Sequence, residues 1–352
     1  MFRYSVRCWL VGIALFLVAS VAPVAARQPG LTLDDQAHVA AAHLLIGDFG
    51  ETAWPGFSSP PPLLLRAASG EFLLGHASPP AEFVSVPGLE IGGEPVYYTD
   101  EPLTPAPIAS SWPIGDLWGA ALPVRDDFQV ILDEMLGEDT VILDETNHVR
   151  VLVHEMFHAF QLNHLGGLQN LPPDLLGPDG MEWLAEVTES EMAELNAAHA
   201  SEGSALRAAL EAETEDEARA LAAEFLRLRQ ARYAALKASY APDLISYERS
   251  VEWIEGPARF VELALIQRAP ELDQDRLPAP LGFQDPDSLW IEFLDQLADP
   301  GAIPGGIRER YTAMGAGQAF LLDRLSPGWQ TRVLDDGLPF EDVLAEIAAS
   351  GR

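Results

Sequence analysis

Cysteine is almost absent from this sequence: its 352 residues contain one, Cys8. That residue lies in an N-terminal segment that we expect to be removed, so the mature chain would have no thiol. This excludes disulfide bonds, a cysteine nucleophile and a zinc site with cysteine ligands. Any metal or catalytic site in the mature chain must use other side chains.

Basic residues are also scarce. Lysine and arginine together number 21 against 54 aspartates and glutamates, which gives a formal net charge of −33. Phosphates and anionic lipid headgroups would be repelled at every approach, so the charge argues against nucleic acid and an anionic membrane surface as partners. Hydrophobic residues make up 48% of the chain, so we expect it to fold as one large domain or two smaller ones.

Long hydrophobic runs are missing. The longest, residues 8–22, has about 15 residues, whereas a membrane-spanning helix needs about 20. It follows the basic residues Arg3 and Arg7 and precedes small residues that end at Ala26. This order is typical of a secretory signal peptide, residues 1–26, with an uncleaved anchor as the alternative. We therefore expect a bacterial protein that is secreted or periplasmic and makes no membrane contact after cleavage.

Proline and glycine divide the remaining chain into two regions. They recur from about residue 28 to 123, where short apolar runs predict strands near 63–65, 83–84 and 96–98, and further strands are predicted at 128–132 and 140–143. Later apolar residues recur every three or four positions, which predicts helices near 146–163, 181–199, 215–239, 246–268, 287–298 and 339–349, with 199–218 as a mobile excursion. The sequence thus predicts an α+β fold, with a β-containing region at 27–145 and a mainly helical region at 146–352.

One motif carries recognisable chemistry. Residues 154–158 read His-Glu-Met-Phe-His, the HExxH pattern. On a helix, residues four apart share a face, so the imidazoles of His154 and His158 can bind one zinc ion. Glu155 then lies beside the metal without binding it and can take a proton from a water molecule there. With only 8 histidines in the chain, about 0.01 chance matches are expected.

The residues around the motif favour a helix. They form two opposite stripes, an apolar one of Val149, Val153, Met156 and Phe160 and a polar one of Arg150, His154, His158 and Gln161. We expect this helix to bury the apolar stripe in the core and to turn both histidines toward a cleft. Asp144 or Thr146 can cap its start.

A catalytic zinc needs a third protein ligand and one open position. Glu255 is the first candidate, because the segment 246–268 predicts a second amphipathic helix. One face of that helix carries Glu248, Glu252, Glu255, Arg259 and Glu262. Packed against the first helix, it would present Glu255 to the metal.

These two segments resemble the HExxH metallopeptidases of the gluzincin type, such as relatives of aminopeptidase N. Residues 154–161 have the form His-Glu-x-Phe-His-x-x-Gln, and residues 255–258 are similar to the family's downstream Glu-Gly-x-Ala element. The resemblance implies a zincin-like fold in which Glu255 binds zinc and peptide bonds are hydrolysed. Three features differ: Trp253 lies one residue nearer the glutamate, 97 positions separate His158 from Glu255, and Pro257 is expected to kink or restart the helix.

Two other third ligands stay open. His164 has the spacing of the metzincin ligand, although Gln161 stands where those enzymes need a glycine to turn the chain, and His164 also suits an exposed helix end. An acidic cluster on the next predicted helix comprises Glu182, Glu186 and Glu189. Glu186 is its best-spaced member, and a solvated acidic face is the alternative there.

The developing oxyanion needs a donor, and the ligating histidines need an orienting partner. Tyr311, Tyr247 and Tyr240 are available as donors, with Tyr311 the first candidate, although each also suits the edge of a core. The orienting carboxylate is sought in Glu252, Glu248 or the acids at 182–189.

Other catalytic signatures are missing from the sequence. It contains no glycine-rich phosphate loop followed by lysine and no Gly-x-Ser-x-Gly elbow, and residues 315–317, Gly-Ala-Gly, predict a tight helix contact or turn. The sequence favours an exported metallopeptidase with one Zn²⁺ per chain and a peptide or protein substrate. The alternatives are a zinc enzyme that cleaves another bond and an exported binding or structural protein whose HExxH helix is architectural.

Overall fold

The computed structural model describes residues 30–104, 109–137, 141–170, 189–239, 242–299 and 307–350. The predicted signal peptide, Glu182, Glu186 and Tyr240 lie outside the described residues, as does the side chain of Glu189. The helices are α1 (Leu33–Ala53), α2 (Arg125–Leu136), α3 (Glu145–Leu165), α4 (Glu189–Glu211), α5 (Glu215–Ser239), α6 (Pro242–Ile266), α7 (Pro286–Ala298), α8 (Ile307–Leu325), α9 (Trp329–Leu334) and α10 (Phe340–Ser350). The strands are β1 (Leu63–Ala67), β2 (Gly70–Leu74), β3 (Val84–Ile91), β4 (Glu94–Thr99), β5 (Ser110–Ile114) and β6 (Leu117–Pro123).

The six strands form one mixed sheet in the order β3-β4-β2-β1-β6-β5. β1 pairs with β6 in parallel, and the other neighbouring strands are antiparallel. Side chains alternate between the two faces of the sheet. Leu63, Leu65 and Phe72 join the main core, whereas Leu64 and Leu73 join a smaller cluster on the other face. The sheet and the helices that follow it confirm the predicted α+β class and the strands expected near 63–65 and 96–98.

Two strand predictions were wrong. Residues 128–132 lie within α2, because a short apolar run suits a buried strand or a helix equally, and Asp126 and Asp127 in the first turn favour the helix. Residues 141–143 lie outside the sheet. Gln129 holds them instead, since its side-chain amide donates to the Val141 carbonyl at 2.8 Å and accepts from the Leu143 amide at 2.7 Å.

Helix α1 falls in a region where only strands and loops were expected. Thr32 and Asp35 form a reciprocal capping box at its start, with side-chain to backbone bonds of 3.0 and 3.2 Å. Residues 37–46 are all buried, because α1 packs against α3, α6 and the sheet. A helix buried on every side has no polar face, so its sequence lacks the periodicity by which helices are recognised.

The helices predicted near 146–163, 215–239, 246–268, 287–298 and 339–349 were confirmed, whereas residues 181–188 of the helix predicted at 181–199 lie outside the described residues. The excursion expected at 199–218 was wrong, because α4 runs on to Glu211 and α5 begins at Glu215. Pro257 does not interrupt α6, which continues from Pro242 to Ile266 with α3 and α8 packed against it. No helix among the described residues combines the length and apolar character that crossing a membrane requires.

Helices α6 and α8 approach each other closely at two glycines. A Cβ atom at Gly256 would lie 2.8 Å from the Cα of Gly315, and one at Gly315 would lie 2.7 Å from the Glu252 carbonyl oxygen. The backbones of α6 and α8 are therefore in direct contact at these two residues, and neither position has room for a side chain. This contact confirms the tight helix packing expected at 315–317.

Buried ion pairs tie four helices together. We call this group the arginine–glutamate cluster; its members are Glu202 of α4, Arg229 and Arg232 of α5, Glu248 and Glu252 of α6, and Glu341 of α10. Arg229 donates hydrogen bonds to both carboxylate oxygens of Glu252, at 2.6 and 2.7 Å. Arg232 donates to Glu248 at 2.6 Å and to Glu202 at 2.9 Å. Such pairs are costly to break, because the remaining charge is left buried.

Three buried histidines line the contact between α1 and its neighbours. His38 and His148 face each other with their Nδ1 atoms 3.2 Å apart. The Nε2 atoms of His38, His43 and His148 have no hydrogen-bond partner in the part of the chain that the structure describes. Burial lowers the pKa of His43 to about 4, and burial together with His38 lowers that of His148 to about 3. These histidines are therefore neutral in the folded protein.

The Gly256–Gly315 contact predicts opposite effects for two glycine substitutions. Gly256→Ala should lower the free energy of unfolding by about 1–3 kcal/mol, because the new methyl group meets the backbone of α8. Gly47→Ala is the matched control: Gly47 is exposed in α1 with nothing within 4 Å of the added Cβ, so it should stabilise by about 0.5–1 kcal/mol. Urea unfolding of both variants measures this. Equal effects would contradict the proposed contact.

The buried histidines predict acid sensitivity. Between about pH 6.5 and pH 4, unfolded His43 binds a proton that the folded residue does not, so stability falls as the pH falls. At pH 5 this costs about 2 kcal/mol relative to pH 7. His43→Leu should remove that part of the loss in urea unfolding at the two pH values. An unchanged pH dependence in His43→Leu would refute the assignment.

Candidate metal centre

Helix α3 carries the HExxH motif across the floor of a cleft. Asp144 caps its start and accepts from the Asn147 amide at 2.8 Å, and Gly166 ends it with a φ of +73°. Its apolar face is in the core, where Val149, Val153 and Met156 are buried. The side chains of His154 and His158 keep 16% and 14% of their surface exposed on the other side. The expected division of this helix into a buried and a cleft-facing side is confirmed.

Three predicted ligand atoms converge beside this helix. The Nε2 atoms of His154 and His158 lie 3.0 Å apart, and Glu255 Oε2 lies 3.2 and 3.3 Å from them. Ligand atoms around tetrahedral zinc, at bond lengths near 2.1 Å, are separated by about 3.4 Å. The triangle is therefore of the size that one zinc ion would need, and all three residues line the cleft.

The second ring nitrogen of each histidine, Nδ1, has its own hydrogen-bond partner, and this partner fixes the position of a ring proton. His154 Nδ1 lies 3.0 Å from Glu262 Oε2, and His158 Nδ1 lies 2.9 Å from Gln161 Oε1. Both partners are acceptors, so each Nδ1 carries a proton, and Nε2 is the nitrogen that would offer a lone pair to an ion at the shared point once it has lost its own proton. Gln161 is oriented for this role because its amide group donates to the Ile254 carbonyl at 3.3 Å. The donor set thus fits a zinc ion.

Glu262 is the orienting carboxylate that the sequence reasoning missed. It lies two turns beyond Glu255 on α6 and also accepts from Arg150 at 2.7 Å and from Arg259. Glu248 and Glu252, the expected partners, instead belong to the arginine–glutamate cluster. The available signal in the sequence was Arg150 on α3, which needs an acidic partner and finds one seven positions after Glu255.

Electrostatics make the three ligands a coupled group. Burial disfavours a charge on His154, but hydrogen bonds with Glu255 and Glu262 more than offset it and raise its pKa to about 10. Burial also raises the pKa of Glu255. The charges of His158 and Arg308, together with hydrogen bonds from His154 and His158, outweigh this effect and hold the pKa well below the usual value. A proton and a metal ion therefore compete for His154. Burial raises the pKa of Glu155, as expected for a group that receives a proton.

The other candidate residues lie elsewhere. His164 is 43% exposed and pairs with Asp335 at 2.5 Å. Tyr311 is completely buried, and its ring centre lies 5.5 Å from that of His199 and 6.1 Å from that of Tyr247. A buried hydroxyl cannot reach a substrate, so Tyr311 does not serve as the oxyanion donor in this fold.

A second trio of potential ligands is less suitable for a cation. His199, Glu202 and Glu248 also place ligand atoms within 4.8 Å of one another, deep in the core. Arg232 already binds both carboxylates, and Arg229 reaches Glu202 at 3.4 Å. A metal ion there would meet two guanidinium groups at close range, so the first trio is the better candidate for a metal centre.

The cleft in front of the triangle lies between α3, α6, the start of α8 and the sheet. Its volume is about 210 Å³. Its lining includes Glu155, Arg308 and Glu309 on the polar side, Ser110, Ser111 and Trp118 from the sheet, and an apolar wall of Leu162, Leu165 and Leu168. Asn163 joins α3 to β6, because its amide accepts from the Trp118 backbone N–H at 2.8 Å and donates to the Trp118 carbonyl at 2.7 Å. The edge of the sheet is thereby held beside the metal ligands.

No protein-family model matches the chain, and neither a curated protein nor a solved structure matches it. The function is therefore inferred from the residues and their geometry.

The hydrogen bond from His158 to Gln161 predicts a loss of metal affinity when it is removed. Gln161→Leu should weaken zinc binding by about 10–100-fold, because His158 Nδ1 loses the acceptor that fixes its tautomer. Competition with a chelating dye measures the dissociation constant. Gln161→Glu keeps an acceptor and should restore most of the affinity. Equal affinities for Gln161→Leu and wild type would show that Gln161 does not orient the ligand.

Proposed function

We propose that the protein is an exported zinc-dependent metallopeptidase of the gluzincin type, with a zincin-like fold. The observation that carries the proposal is the convergence of His154 Nε2, His158 Nε2 and Glu255 Oε2 within 3.3 Å, with Glu155 in the same cleft. Export rests on the signal-like residues 1–26.

The chain's own groups divide the work of hydrolysis. When bound, zinc supplies a Lewis acid that polarises a carbonyl and lowers the pKa of water from about 15.7 to about 7. Glu155 follows a metal-binding histidine in the chain and is the general base that takes the proton from the attacking water. Glu155 then delivers that proton to the leaving amine. Glu262 and Gln161 keep the two imidazoles in the tautomer that binds the ion.

The sheet edge favours an extended peptide as substrate. β5 ends the sheet and pairs only with β6 among the described strands, and its Ser110 and Ser111 line the cleft. A peptide in extended conformation can add to such an edge through main-chain hydrogen bonds, with alternate side chains entering the cleft. The apolar wall of Leu162, Leu165 and Leu168 offers a surface for one of them.

The mature chain, residues 27–352, purified without added metal, tests the proposal. Wild type should contain one zinc per chain and cleave members of a fluorescence-quenched peptide library. Glu155→Gln should keep the zinc but lower the cleavage rate by about 10²–10⁴-fold, because only the general base is removed. Elemental analysis and the cleavage assay measure the two effects.

Two further variants control this experiment. Glu255→Ala should lose the zinc, whereas His164→Ala should retain both metal and activity. A wild type that contains no zinc and takes none up would refute the proposal and favour a binding or structural protein. A wild type that binds zinc, hydrolyses esters and cleaves no peptide would refute the choice of substrate.

A further inference from the structure

We propose that Arg308 is a positioning residue that restricts Glu255 to one metal-facing oxygen and so keeps the remaining coordination position open. The inference rests on the proposed metal centre and adds a specific task for a residue outside the HExxH and Glu-Gly segments.

The two oxygens of Glu255 have separate partners. Oε2 faces both histidine Nε2 atoms, at 3.2 and 3.3 Å, and Oε1 accepts from Arg308 Nη2 at 2.6 Å. A charge-assisted hydrogen bond of that length is among the stronger side-chain contacts in proteins. An oxygen held by it is not available to an ion bound on the opposite side of the carboxylate. The geometry therefore makes Glu255 a one-oxygen ligand.

Arg308 is itself held in place by the fold. It lies in the first turn of α8, and this helix is locked against α6 by the Gly256–Gly315 contact close to Glu255. Its side chain remains 28% exposed and lines the cleft, while that of Glu255 is only 12% exposed. Tyr247 of α6 is a further hydrogen-bond partner of Arg308. The guanidinium thus reaches the carboxylate from a rigid base.

The number of oxygens that Glu255 contributes decides how many positions remain. With two histidines and one oxygen, a tetrahedral ion keeps one position for water or substrate. Without Arg308, the carboxylate can rotate and offer both oxygens, which would raise the coordination number of the ion and weaken its pull on water or substrate in the remaining position. Glu255 also donates more charge once its cationic partner is gone, so the ion becomes a weaker Lewis acid.

Cobalt(II) substitution of the purified protein tests this inference without relying on activity. Arg308→Ala should bind Co²⁺ stoichiometrically, with a visible ligand-field absorbance about twofold or more below that of wild type, because the ion gains a fifth ligand atom. Arg308→Lys, which can still donate to Oε1, should return most of the absorbance. Arg227→Ala is the matched control, since this exposed arginine pairs with Glu224 on its own helix, and it should match wild type.

Peptide cleavage provides the second readout. Arg308→Ala should lower kcat by about 10–100-fold with little change in KM, because the substitution weakens the metal ion as a Lewis acid at the position where the reaction takes place. If Arg308→Ala does not fold, Arg308→Gln, which keeps a neutral donor, should show an intermediate cobalt spectrum. Unchanged cobalt spectra in the folded variants would overturn the role of Arg308 even if the wild type is a zinc peptidase. A wild type that binds neither Co²⁺ nor Zn²⁺ would overturn the metal centre itself.

Discussion

The contact between α3 and α6 depends on the carboxylate of Glu262. It neutralises Arg150 of α3 and Arg259 of α6, and its second oxygen faces His154. The charges of the two arginines hold its pKa well below the usual range, so it stays ionised although buried. One side chain thereby joins two helices and orients a ligand of the candidate metal centre. The same set of bonds thus contributes both to the contact between these helices and to the geometry of the site.

In the part of the chain that the structure describes, helices α3, α6 and α8 and the edge of the sheet surround the site. The arginine–glutamate cluster anchors α6 to α4, α5 and α10, and the Gly256–Gly315 contact sets the distance to α8. On the sheet side, Asn163 binds the backbone of Trp118 as a neighbouring strand would. Sites built on such elements hold their side chains more accurately than sites on loops. The ligands therefore need little rearrangement to receive an ion.

The sequence predicted the site better than the fold around it. The positions of His154, Glu155 and His158 follow from helical periodicity, and Glu255 was preferred for its place on a second amphipathic helix. Tyr311 was chosen wrongly because residue type alone does not tell a core tyrosine from one in a cleft. Helix α1 was missed because it is buried on all sides and its sequence therefore shows no helical periodicity. Residues 128–132 were assigned wrongly because so short an apolar run does not distinguish a helix from a strand. Glu262 and Arg308 act through contacts that only the tertiary structure reveals.

The placement of the arginines has a consequence for how dissolved salt acts on the protein. The chain carries a formal charge of −33, and that excess of acids repels itself across the surface. Small ions shorten the range of this repulsion to about 8 Å at physiological ionic strength. Arg229 and Arg232 are 1% and 5% exposed, so the same ions do not weaken their attraction to the glutamates. Added salt therefore relieves the repulsion while leaving the internal ion pairs intact, and the folded state is favoured as ionic strength rises.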